Sequence, residues 1–167
     1  MGTIKIRHGR KEDIDAITQI EQACFPKAEA ADRSVFQNRM AVFPECFFVA
    51  EMNDTIIGFI NGAVINGKYI QDEMYEKAEL HCPNGMYQSV FGIDVKPEYQ
   101  GKQVASRLME TFIQYARECG KQGVVLTCKE ALFPFYKRFG FQNLGRSQSQ
   151  HGGAIWYDMF LDLTKPI

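Results

Sequence analysis

The spacing of apolar residues changes period several times along the chain, and each change marks an element. Residues 3–7 (TIKIR) alternate polar and apolar, the period of a strand. Residues 11–25 set Ile14, Ile17, Ile20, Ala23 and Cys24 on one face at helical spacing, with Pro26 just beyond. Residues 28–43 read as a second helix of weaker period. Residues 46–52 (CFFVAEM) are almost wholly apolar, as in a buried strand. Asn53 and Asp54 then give a tight turn into residues 55–65 (TIIGFINGAVI), so the two runs form an antiparallel hairpin.

Residues 66–85 are polar and irregular, with a short helix over 69–77. Residues 86–95 (MYQSVFGIDV) are a strand that Pro97 ends. The clearest helix spans 101–119: Val104, Leu108, Phe112 and Tyr115 line one stripe, widened by Ala105, Met109 and Ala116, and Gly120 stops it. A short apolar strand at 123–128, a helix at 132–139 ending before Gly140, and strands at 141–144 and 155–163 complete the chain. This order predicts one α/β domain with a mixed, mostly antiparallel sheet. Its centre, from 86 to 128, is a parallel strand–helix–strand crossover of right hand.

Composition narrows the function classes. The 167 residues suit one domain, and 46% hydrophobic residues can fill its core. A net charge of -1, from 19 basic and 20 acidic residues, lacks the basic field of a nucleic-acid binder. Five cysteines with no CxxC pair and no Cys/His cluster argue against a disulfide framework or a zinc site. The polar start of the chain lacks a signal-peptide core, and no apolar run reaches the ~18 residues of a membrane span. A soluble cytoplasmic protein without metal, nucleic-acid or membrane partners is expected.

The candidate chemistry lies in residues 89–109, SVFGIDVKPEYQGKQVASRLM. An apolar strand ends at Val95 and a short loop leads straight into the strongest helix. A helix N-terminus leaves backbone N–H groups unpaired, and with the macrodipole these make an anion site. Lys102 adds positive charge, and Gly101 and Ala105 are small enough for a phosphate to approach the backbone. The pattern points to a phosphate-bearing cofactor; the alternative is an ordinary crossover helix capped by water or a side chain.

Two stretches carry a family resemblance. Gln100 and Ala105 occupy the first and last places of an Arg/Gln-x-x-Gly-x-Gly/Ala run, with Gln103 in the slot of the middle glycine. Residues 126–141 read LTCKEALFPFYKRFGF. The chain resembles the GNAT superfamily of N-acetyltransferases, and most closely its arylalkylamine (serotonin) N-acetyltransferase-like branch. Residues 24–32 (CFPKAEAAD) and 78–85 (AELHCPNG) share the likeness.

The resemblance implies a GNAT-type sheet with helices on both faces and acetyl-CoA as cofactor. It implies that Ile93, Asp94 and Val95 hold the pantetheine arm through their backbone. Gln100, Gly101, Lys102, Gln103, Val104, Ala105 and Ser106 would hold the pyrophosphate. Tyr136 would be the general acid toward the leaving thiolate. Ser89 and Phe91 replace two histidines of the branch, so deprotonation falls to water held by Ser89, to Glu29 or to His81. Phe25, Pro26 and Glu29, with Phe36 and Tyr69 as weaker candidates, would shape the acceptor pocket. The implied acceptor is a small primary amine; a peptide or protein amine, or a CoA sensor with little catalysis, remain open, as does monomer or homodimer. Cys128 reads as a buried structural thiol.

Overall fold

The computed structural model describes residues 2–165. Strands β1 (Lys5–His8), β2 (Phe47–Met52), β3 (Thr55–Asn61) and β6 (Gly92–Val95) pair antiparallel in that order. Strands β4 (Val64–Ile65), β5 (Tyr87–Val90), β7 (Gly123–Cys128), β9 (Tyr157–Asp162) and β8 (Gln142–Arg146) form the other part. Among the described residues only β5 and β7 pair in parallel, joined across helix α3 (Val104–Glu118). The mixed α/β sheet with its central parallel crossover is therefore as expected.

Alternation along the strands sorts the core into two layers. Phe48, Ala50 and Ile60 face α3 and pack with Val104, Leu108, Met109 and Phe112. Phe47, Val49 and Phe59 point the other way and meet helix α1 (Ile14–Cys24) and helix α2 (Arg33–Val42) through Ile17, Ile20, Phe36 and Met40. Helix α4 (Phe133–Lys137) lies on the α3 side. Burying each large apolar side chain contributes about 1.5–3 kcal/mol against the cost of ordering it.

Helix α2 starts at Arg33 rather than 28 because Asp32 caps it, its Oδ1 accepting the Val35 N–H at 3.2 Å. The preceding residues form a turn instead, with Glu29 and Ala30 N–H groups donating to the Pro26 carbonyl at 2.9 and 3.0 Å.

The strands expected at 55–65 and 86–95 are each broken in two, and this break makes the site. Phe91 N–H donates to the Asn61 carbonyl at 2.7 Å while Gly92 pairs with the same Asn61, so two residues oppose one in a β-bulge. Before the bulge, β5 pairs with β7 as far as Val90 and Leu126. After it, β6 pairs only with β3, while Thr127 and Cys128 pair only with β9. The two central strands thus splay into a V. Lys96 N–H donates to the Ile57 carbonyl at 2.8 Å. Antiparallel alternation from that bond turns the Asp94 and Gly92 backbone toward β3 and the Ile93 and Val95 backbone toward the open side of the V.

Candidate active site

One arm of the V faces a groove of about 530 Å³. Ile93 and Val95 from β6 line it, with Gln100, Gly101, Gln103, Val104, Ala105 and Ser106 from the turn and first residues of α3. Nearly all the expected cofactor residues therefore meet in one place. Lys102 is exposed on the turn and does not line the groove. The Asp94 side chain is buried on the opposite face of β6 from Ile93.

The turn into α3 is shaped by its own residues. Gln100 Nε2 donates to the Val95 carbonyl at 3.0 Å, and Gly101 and Gln103 take φ of 77° and 65°. The Gln103 side chain at the cap position makes no hydrogen bond to α3, so it does not occupy the helix's first N–H groups. Gln103 explains the glycine slot: its left-handed backbone costs an L-residue about 1–2 kcal/mol. Gln103→Gly is expected to raise unfolding stability by up to about 1 kcal/mol, less than the relieved strain because glycine frees the unfolded chain. Acetyl-CoA affinity should not fall; a thermal melt and a binding titration check both.

On the other side of β6 lies a cavity of about 260 Å³. Phe25 and Glu29 line it as expected, whereas Pro26 stays in the turn beneath. Leu132 borders both spaces, so cavity and groove adjoin where the V opens. Phe36 is core, edge-on to Phe59 at 5.5 Å, and Tyr69 lies on a separate surface.

The cavity's walls hold groups the sequence did not single out. His151 Nε2 is 2.9 Å from the Glu29 carbonyl oxygen, which can only accept, so this nitrogen carries the proton. Trp156 Nε1 donates to the His151 carbonyl at 2.8 Å, and Tyr75 stacks on the His151 ring at 5.8 Å. The Tyr75 hydroxyl bonds Thr127 Oγ1 at 2.8 Å, and burial pushes its phenol up to about 12. Lys129 Nζ sits 2.9 Å from each Glu29 carboxylate oxygen, so that carboxylate is already ion-paired.

The floor is a buried polar cluster. Arg39 donates to Asn61 Oδ1 at 3.0 Å and to the Tyr75 carbonyl at 2.7 Å, and lies over the Phe91 ring at 4.9 Å. Burial pulls its guanidinium down to about 10. Glu21 Oε2 accepts the Ala31 N–H at 2.9 Å. Asp94 is 2% exposed, and burial together with the neighbouring Glu21 carboxyl holds it well above the usual carboxylate range.

The other candidates divide. Tyr136 is buried between Phe135 and Phe141, lines neither space, and burial raises its phenol, with Cys128 and Asp94 adding to the effect. Ser89 is fully buried and its Oγ donates to the Ala63 carbonyl at 2.7 Å, away from both spaces. His81 is also elsewhere: its Nδ1 accepts the Val64 N–H at 2.9 Å, Nε2 is 3.5 Å from Glu45, and burial lowers its pKa. Cys128 lines the cavity, but burial pushes its thiol up to about 12, which leaves almost no thiolate. Cys128→Ala is expected to retain turnover; a large loss in a steady-state assay would make the thiol a participant.

The site is thus a helix N-terminus and an open strand edge on one side, adjoining on the other a partly enclosed cavity with apolar walls and buried polar groups: a two-ligand arrangement meeting end to end. The model of the acetyltransferase (GNAT) family matches residues 14–141, and the chain belongs to that family. It is 27% identical over 130 residues to the probable hydrolase YhcX of Bacillus subtilis, covering 72% of this chain and 25% of that protein. It is 27% identical over 152 residues to the uncharacterized N-acetyltransferase MJ1207 of Methanocaldococcus jannaschii, covering 84% and 61%. The chain thus spans 25% of the length of the first of these curated relatives and 61% of the second. Among solved structures, the GphF GNAT-like decarboxylase in complex with isobutyryl-CoA superposes with a TM-score of 0.84 at 21% identity, covering 95% of this chain and 99% of that one.

Proposed function

We propose that the chain is an N-acetyltransferase that moves an acetyl group from acetyl-CoA directly to a small primary amine, with an aryl or alkyl body. The observation that carries this reading is the meeting, at Leu132, of a groove built on the α3 N-terminus with a partly enclosed cavity lined by Glu21, Asp32 and Glu76 and by Arg39. The groove suits an elongated phosphate-bearing cofactor, and the acid-rich cavity suits an ammonium.

Acetyl-CoA supplies an acetyl group activated as a thioester. Residues 104–106 offer backbone N–H groups to its pyrophosphate, and Ser106 adds a hydroxyl. Ile93 and Val95 present their backbone along the open edge of β6 to the pantetheine amides, in the manner of an added strand. The Ile93 N–H faces the same side and suits an oxygen on which negative charge grows. Tyr136 keeps its proton at neutral pH because burial disfavours the phenolate; it lines neither space itself, so it serves as proton source for the leaving sulfur only where that sulfur comes to the Cys128 end of the cavity. Phe25 supplies an apolar wall for the acceptor.

Release of CoA thiol, measured with acetyl-CoA over a panel of small primary amines and short peptides, tests the reading. Turnover is expected with small amines and not with peptides. Turnover with peptides alone would move the acceptor class, and binding without turnover on any amine would leave a CoA-binding module. Isobutyryl-CoA, bound in the GphF structure, serves as a second donor in the panel.

A further inference from the structure

The acceptor must lose a proton before its nitrogen can react, and the residues expected to take it do not fit. Ser89 and His81 lie outside the cavity, and Glu29 is ion-paired with Lys129. The cavity floor offers another group. Glu21 lines the cavity from the inward face of α1, and Ala31 N–H fixes one of its two carboxylate oxygens. Its neighbour on β6 is Asp94, both of whose carboxylate oxygens are buried and meet no N–H or hydroxyl donor, so the adjacent Glu21 carboxyl is the group they face. Arg39 Nε and Asn61 Nδ2, from residues that line the same cavity, are likewise buried and unpartnered. A side chain on Gly92 would stand over this group, its Cβ 3.5 Å from Asp94 Oδ1 and 3.9 Å from Asn61 Nδ2. The bulge that splays the sheet therefore leaves only a glycine between the cavity and the buried Asp94 carboxyl.

Resting on the acetyl-transfer reading, we propose that Glu21 is the base that takes the proton of the acceptor ammonium, with Asp94 as the residue that positions and tunes it. Two buried carboxyls this close share one proton, because both cannot be ionised at low cost. Asp94 keeps that proton, because burial and the Glu21 carboxyl push it well above the usual carboxylate range. Arg39 on α2 faces the pair with a positive charge, and the other titratable groups near it are Cys24 on α1, Tyr136 on α4 and Tyr75 beside Arg39. In the step, an N–H bond of the ammonium breaks and an O–H bond forms on Glu21. The electron pair stays on nitrogen, which becomes the neutral amine, and the proton later leaves to solvent through the cavity mouth.

Two amines of nearly the same shape test this. Benzylamine is an ammonium at neutral pH, whereas phenylhydrazine is already neutral there and needs no base. Glu21→Gln keeps an oxygen for the Ala31 N–H, so the fold is preserved. It is expected to lower kcat/KM for benzylamine about a hundredfold and for phenylhydrazine by less than about threefold. Asp94→Asn should show the same contrast in weaker form, with its pH–rate profile displaced. Binding of benzylamine without acetyl-CoA, measured by calorimetry, should weaken in Glu21→Gln. Equal losses with both amines would make Glu21 structural and overturn the proposal, as would the same contrast appearing in His151→Ala but not in Glu21→Gln. Thiol release by the native protein with neither amine would overturn the acetyl-transfer reading and this proposal together.

Discussion

Tyr136→Phe is expected to lower turnover about a hundredfold while changing acetyl-CoA affinity by less than about twofold. The substitution removes one oxygen and leaves the ring, which packs edge-on against Phe135 at 5.1 Å and Phe141 at 5.8 Å. The core around it should therefore keep its shape, and a thermal melt should move little. Loss of the hydroxyl removes the proton source beside Cys128, the cavity-lining residue at the end of β7. The loss should grow as the leaving group becomes more basic, because a poorer leaving group depends more on the acid. A variant that turns over like the native protein would remove Tyr136 from the chemistry and leave it as core.

Gly62→Ala is expected to be the most damaging small substitution. A Cβ there would stand 1.9 Å from the Ser89 carbonyl oxygen and 2.6 Å from its carbon, both backbone atoms in a fully buried strand. No rotamer change relieves that contact, so β4 and β5 must separate where the sheet bends into its V. Overpacking of this kind costs about 3 kcal/mol or more. For a domain of this size that lowers Tm by roughly 6–12 °C. Turnover should fall further than stability alone explains, since the same bend opens the β6 edge. An unchanged melting curve with full activity would show that the strands do not meet there.

The parts of this structure that were legible in sequence are those set by periodicity. The stripe from Val104 to Ala116 and the hairpin around Asn53 and Asp54 appear as expected, because each buries a regular apolar face. The breaks at 62–63 and at Phe91 were not foreseen: Asn61-Gly62 is a turn-type pair inside an otherwise apolar run, Phe91-Gly92 carries no polar residue, and the pairing partners reveal both breaks. The groove at the start of α3 could be anticipated because it is local, built from the backbone between Ile93 and Ser106. The cavity across β6 could not, because Glu21, Arg39, Asn61, Tyr75 and His151 come from distant segments that meet only in the fold. One signal was present, however. Arg39 and Asn61 are polar residues set within apolar runs, and such residues need a buried partner.

The account turns on the V at β6 holding the cofactor with its acyl end toward the cavity. A crystal structure of the protein with acetyl-CoA tests that claim most directly. The pyrophosphate is expected on the N–H groups of residues 104–106, the pantetheine along Ile93 and Val95, and the acetyl group beside Leu132, its oxygen within hydrogen-bond reach of the Ile93 N–H. A cofactor bound elsewhere, or one whose acetyl group is shut off from the cavity that Glu21 lines, would contradict it.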